Sequence, residues 1–248
     1  MEYDTTVLHV QGVTPETIEH ALTAIFTDEG RSVALRLEGT FQAVLGRLTD
    51  PDLEAGYLYL ICRPHAASAW TPVLELGNRA DGLDIELSRV LDGATVVTTF
   101  VYGEGISGYR VARAGALVDR YTSDPTYFAD EEVSAEDIES QRGHPERFAD
   151  LFPANTPPAD FARVVLLPGW WETYEADDAR AASERTATER QAGLPDTEED
   201  EELVDEVDRM RCIALGLELW GPEEYPFARE LETLPNHLVG PAIALAFA

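Results

Sequence analysis

The pattern of apolar positions in the first 121 residues switches repeatedly between a strand-like and a helix-like spacing. Residues 5–10, TTVLHV, are β-branched and apolar with poor alternation, which predicts a mostly buried strand. In the next stretch, VTPETIEHALTAIF, Thr14 suits an N-cap, Pro15 the first helical position and Glu16 the positive helix end. Ile18, Leu22, Ile25 and Phe26 then fall on one helical face. SVALRLEG and TFQAVLGRL read as strands, paired most simply as a hairpin turning at Glu38, Gly39 and Thr40. Asp50 and Pro51 mark a loop, and YLYLICR (57–63) is a further strand. TPVLELG (71–77) is a strand, LDIELSRVL (83–91) a short helix, and ATVVTTFVY, GYRVAR and ALVDRY three strands joined by glycine-bearing turns.

The order β-α-β-β-β therefore reads twice, over 5–63 and 71–121. This predicts an α+β fold: a mainly antiparallel sheet from a duplicated unit, with helices packed on one face and a helical C-terminal part. The expected divisions are 1–70 for the first unit, 71–165 for the second with a loop and helix extension, and 166–248 for the helical region.

Beyond Tyr121 the pattern loosens. Ser134 opens a helix with Glu136 and Asp137 in its first turn, and Pro153, Pro157 and Pro158 interrupt the chain. VVLLPGWW (164–171) reads as a buried segment, while 173–193 is rich in Ala, Glu, Arg and Thr and offers little apolar face. Nine of the thirteen residues from Asp196 to Asp208 are acidic. Thr197 is a candidate N-cap there, and Leu203, Val207, Met210, Ala214 and Leu217 form an apolar stripe. Residues 197–215 thus read as an amphipathic helix with a solvated acidic face, carboxylates filling its first turn where the helix dipole favours them.

Charge changes the picture most. The 248 residues carry 47 acidic and 18 basic side chains, a formal net charge of −29. Nucleic acid is an unsuitable partner, since phosphate binding needs a basic patch, and an anionic membrane surface is equally disfavoured. All the basic residues are arginine. The absence of lysine removes P-loop, kinase, Schiff-base and Ser–Lys chemistries together. The acid excess serves either a basic partner or solvation in a high-salt or GC-rich organism.

Other chemistry is thin. Cys62 and Cys212 both sit in apolar runs and read as small core residues, their pairing open. The five histidines, at 9, 20, 65, 144 and 237, have no metal-ligand spacing, so no metal and no cofactor is expected. GEGISG (103–108) matches G-x-G-x-x-G, but strands flank it on both sides, so it reads as a hairpin turn rather than a nucleotide loop. No nucleophile elbow occurs, and a carboxylate pair cannot be singled out among so many acids. The N-terminus lacks a basic and apolar leader, and no apolar run approaches the ~18 residues of a membrane span. A cytoplasmic location is the expectation.

The most distinctive polar–aromatic segment is DRYTSDPTYF (119–128). Asp119, Arg120, Tyr121, Asp124, Tyr127 and Phe128 are binding candidates, because Tyr and Arg anchor interfaces. The structural alternative is a strand end with its aromatics tucked beneath a turn. Glu198, Glu199, Glu201 and Glu202 are the second candidate set, as a patch for a basic protein.

The run YRVARAGALVDRYTSDPTYF, followed by RGHPERFADLF, is similar to a pattern in uncharacterised bacterial proteins. There a strand of the form Y-x-x-x-x-x-G-x-x-V-D-x-Y leads to S-x-P-x-Y-F and a Gly-x-Pro-Glu helix start. The similarity covers about residues 80–152 and brings no activity with it. In charge and α+β build alone the chain resembles immunity proteins, which neutralise bacterial toxins. That resemblance implies a non-catalytic inhibitor of a basic partner. The rival expectations are a hydrolase-like enzyme with a dispersed carboxylate site and an acidic housekeeping protein.

Overall fold

The computed structural model describes residues 5–40, 43–44, 47, 56–64, 68–76, 82–102, 106–125, 134–152, 157–166 and 241–248. In chain order the elements are β1 (Thr5–Gln11), α1 (Pro15–Asp28), β2 (Val33–Thr40), β3 (Tyr57–Ile61), β4 (Trp70–Glu75), α2 (Leu83–Val90), β5 (Thr95–Tyr102), β6 (Ile106–Arg113), β7 (Ala116–Thr122), α3 (Ala135–Glu139), a 3₁₀ segment (Pro145–Leu151), α4 (Pro158–Val165) and β8 (Pro241–Phe247). The strands form one sheet in the order β2-β8-β3-β4-β1-β5-β6-β7. The pairs β1–β4, β3–β4, β3–β8 and β2–β8 are antiparallel. This is the expected α+β class with a mainly antiparallel sheet.

The local signals in α1 act as expected. Thr14 caps the helix by accepting from the Thr17 N–H, and Pro15 opens it. Glu16 is held below the usual carboxylate range, first by its own backbone N–H and then by Thr14. Ile18, Ala21, Leu22, Ile25 and Phe26 are buried. They pack with Leu83 and Leu87 of α2 onto Leu8, Val10, Tyr59, Ile61, Val73, Val96, Ile243, Leu245 and Phe247 of the sheet. Phe26 lies at its centre, stacked on Phe247 at 4.5 Å between ring centroids and tilted against Tyr59 at 5.4 Å. The alternate residues, Val7, His9, Leu60, Leu74, Val97, Ala244 and Ala246, are buried too. Strands β1, β3, β4, β5 and β8 are thus buried on both faces, which explains why β1 reads without alternation.

Three expectations need correction. The hairpin of 33–40 with 40–48 does not form: Ala43, Val44 and Arg47 are helical, and β2 pairs instead with β8, Leu37 opposite Ala244. Among the described residues the first half therefore lacks the strand that would complete a duplicate of β4-α2-β5-β6-β7. Residues 241–247, read as part of a helical region, are a strand inserted between β2 and β3. Ala and Leu favour helix, but a short unbroken apolar run opened by Pro241 is better buried on both faces as an interior strand.

The chain forms two compact units. One holds Thr5–Thr98, Val111–Leu117 and β8; the other holds Thr99–Arg110 and the described residues from Val118 to Leu166. The hairpin β6–β7 contributes to both. Its two-residue link, Ala114 at φ 52° and Gly115 at φ 77°, has the doubly positive backbone of a tight antiparallel hairpin turn.

Candidate functional site

Asp119 is the chemical centre of the second unit. Asp119 and Tyr121 alternate on β7 and so share a face. Tyr109 of β6 donates its hydroxyl to Asp119 Oδ2 at 2.9 Å. The backbone N–H of His144 donates to the same oxygen at 2.8 Å, and Arg147 Nη1 lies 3.4 Å from Oδ1. The Asp119 side chain has no solvent-exposed surface, whereas Arg147 is half exposed. Burial pushes the Asp119 carboxyl above its ordinary value, against the His144 N–H, Tyr109 and Arg147, which lower it. Burial likewise raises the Tyr109 hydroxyl, with Asp119 adding to the effect, so it stays protonated and donates.

Gly143 makes this contact reachable. Its φ is 76°, and a Cβ there would lie 2.7 Å from Tyr109 Oη and 2.8 Å from Leu166 Cδ2. Only a glycine lets the chain approach so closely and present the next N–H to the carboxylate. Aromatic rings close the remainder. Tyr109 meets Tyr121 at 5.8 Å, Phe148 at 5.6 Å and Phe161 at 5.9 Å, and Phe152 packs on Phe148 and Phe161. Asp119 is therefore a buried anchor that ties the 3₁₀ segment to the hairpin, with its carboxylate supplied with donors.

No protein-family model, curated protein or solved structure matches the chain.

The binding candidates separate by burial. Asp119, Tyr121 and Asp124 are each no more than 4% exposed, so they do not offer a surface to a partner as the protein stands. Arg120 is half-buried and donates to the Ser140 carbonyl at 3.2 Å and to the Ser140 hydroxyl, fastening β7 to the end of α3. Tyr127, Phe128, Glu198, Glu199, Glu201 and Glu202 lie outside the described residues. The layer over Asp119 presents exposed acids instead: Glu136, Asp137, Glu139, Glu146 and Asp150. Sequence reasoning passed over Tyr109, Gly143, His144 and Arg147. All four lie within the runs YRVARAGALVDRYTSDPTYF and RGHPERFADLF, but neither period nor composition sets them apart from their neighbours there.

Elsewhere the buried titratable groups are quiet. Burial lowers His9 to about 3, keeping it neutral. Burial alone raises the free Cys62 thiol, so it is a poor nucleophile. Tyr59 donates to Glu75 at 3.0 Å, a second buried tyrosine–carboxylate pair, in the first unit. Among the described residues no group of three His, Cys, Asp or Glu side chains is placed to hold a metal, and no helix is long and apolar enough to cross a membrane.

Proposed function

We propose that this protein is a non-catalytic, acidic binding protein of the cytoplasm that takes a basic protein partner, in the manner of an immunity protein on a toxin. The observation that carries the reading is where its charge lies. Among the acids whose side chains are described, only Glu75, Asp84, Asp119 and Asp124 are buried, and Glu136, Asp137, Glu139, Glu146 and Asp150 form an exposed acidic set in a chain of net charge −29. Such a surface steers a basic partner and raises its association rate. The chemistry of the core favours the same reading. Its histidine is neutral, its thiol unactivated and the Asp119 carboxylate tied to Tyr109, His144 and Arg147. On this reading Asp119 and Tyr121 support the interface from beneath, and the exposed acids of 134–150 meet the partner.

The test compares local charge with total charge. One variant neutralises Glu136, Asp137, Glu139 and Glu146 to Gln or Asn; a second changes Glu198, Glu199, Glu201 and Glu202 to Gln. A control neutralises four acids of the other unit, Glu16, Asp28, Glu29 and Asp92. Wild type and control should both retain a basic protein from host extract, at a rate that falls with salt, and one local variant should lose it. Equal retention by all three variants would leave the acid excess with a solvation role only.

A further inference from the structure

The edges of the sheet are treated differently. At β7 the chain folds back: Thr122 donates its N–H to the Gln141 carbonyl at 3.2 Å, and Tyr121 bridges to Arg142. β2 bonds to β8 on one side, and among the described residues no backbone group bonds to its other side. This edge is eight residues long, VALRLEGT, with no proline and no lysine. Its register shift falls between Val33 and Leu35, so the stretch from Leu35 to Thr40 is regular. Such an edge is a template for another strand.

We propose that β2 pairs antiparallel with β2 of a second copy about a two-fold axis at Leu37, joining the two sheets edge to edge. Charge selects the register. In a two-fold antiparallel pair, opposite residues share a face, so the strands can shift only in steps that keep this parity. Centring on Arg36 sets guanidinium against guanidinium, and centring on Glu38 sets carboxylate against carboxylate. Centring on Leu37 sets Arg36 opposite Glu38 of the other copy, twice over. Both side chains are exposed on the same face, Arg36 at 46% and Glu38 at 59%. Arg36 uses Nε and Nη2 on Glu19 of α1, and Nη2 also lies 3.7 Å from Glu38 of its own strand, so the guanidinium is held in place while Nη1 keeps N–H groups to donate to Glu38 of the second copy. Leu35 then faces Gly39 of the partner strand, and Leu37 faces its own copy. The repulsion between two chains of net charge −29 opposes the pairing and is screened by salt.

Sedimentation velocity on the full chain, over a concentration series at about 0.5 M sodium chloride, tests this. Wild type should show a reversible dimer. Glu38→Arg alone, or Arg36→Glu alone, sets like charges face to face and should weaken the dimer roughly tenfold or more. The double exchange Arg36→Glu with Glu38→Arg, made together with Glu19→Gln so that the carboxylate at position 36 meets no like charge on α1, restores the pairing in reverse and should recover dimerisation to within about threefold of Glu19→Gln alone. Circular dichroism confirms that each variant keeps its fold. A wild type that stays monomeric, a dimer indifferent to Glu38→Arg, or a double exchange that fails to recover would each overturn the proposal.

Discussion

At Gly108 a single methyl group has nowhere to go. A Cβ there would lie 2.2 Å from the Tyr121 carbonyl oxygen and 2.4 Å from Phe100 Cζ. Overpacking of a fixed site costs typically about 1–3 kcal/mol, and backbone is the least able to yield, so Gly108→Ala should lose about 3 kcal/mol in urea melts. A loss below about 0.5 kcal/mol would mean the contact is not tight. The sequence showed this glycine as the last of a turn motif, whereas it sits inside β6 with backbone against it. Period and composition cannot distinguish a turn glycine from a close-approach glycine. Asp119 makes a second residue-scale prediction, in pH. Its native carboxyl is raised by burial, so the native state binds the proton more tightly than the unfolded chain does. Its stabilising contribution is complete below the unfolded value of about 3.9 and is lost as pH rises through the raised native value. Asp119→Asn has no such proton. The stability of wild type relative to that variant should therefore grow as pH falls from about 7 to about 4, read from urea melts at each pH. The opposite slope would show that the donors outweigh burial. Tyr109→Phe removes one of those donors and should cost about 1–3 kcal/mol near neutral pH.

At the scale of elements, the helices α1, α2 and α3 and the β5-β6-β7 strands were legible because their signals are local, whereas α4, opened by prolines read as interruptions, was not. Thr14, Pro15 and the Ile18–Leu22–Ile25–Phe26 face act within four turns of chain, and Ser134 caps α3 by accepting from the Asp137 N–H. What the sequence hid was pairing over distance. β8 lies about two hundred residues from β2, its neighbour, and nothing in AIALAF marks it as strand rather than helix until both faces are covered. The centre at Asp119 was half legible for the same reason. The segment stood out, but burial turned its candidate contacts into packing, and the donors from Tyr109, His144 and Arg147 come from other elements. The β6–β7 turn supplies a prediction at this scale. Ala114 sits at φ 52°, where a Cβ is unfavourable, and asparagine tolerates that region well. Ala114→Asn should therefore stabilise the hairpin by about 0.5–1 kcal/mol, a gain that thermal melts can detect. An unchanged or lowered melting temperature would mean that the turn relaxes out of this geometry.

For the molecule as a whole, charge governs how stability answers to salt. The exposed ion pairs Arg31–Glu29, Arg36–Glu19, Arg89–Glu86 and Arg142–Glu139 are favourable contacts that salt weakens. Each exposed pair is worth at most about 1 kcal/mol, and most are worth less. Against them stand 47 acidic side chains and no more than 18 positive ones, so the folded state holds an uncompensated excess of like charge close together. Unfolding spreads that charge out, and repulsion therefore favours the unfolded chain most when screening is weakest. The screening length falls from roughly 30 Å at 0.01 M to roughly 8 Å at 0.15 M, which removes most repulsion between distant acids while leaving short pairs largely intact. The melting temperature should rise by about 5 °C or more over that interval, a range low enough in salt to precede general salting-out effects. Neutralising Glu16, Asp28, Glu29 and Asp92 should flatten this salt dependence, while at low salt the relieved repulsion works against the lost helix-start contact of Glu16 and the lost Arg31–Glu29 pair. The neutralised set at Glu136, Asp137, Glu139 and Glu146 should do the same to a similar degree, because repulsion over such distances counts total charge rather than place. Partner association counts place, so these same two variants part company there and nowhere else. A melting temperature that falls with salt would mean that the arginine pairs, not the acid excess, dominate the surface.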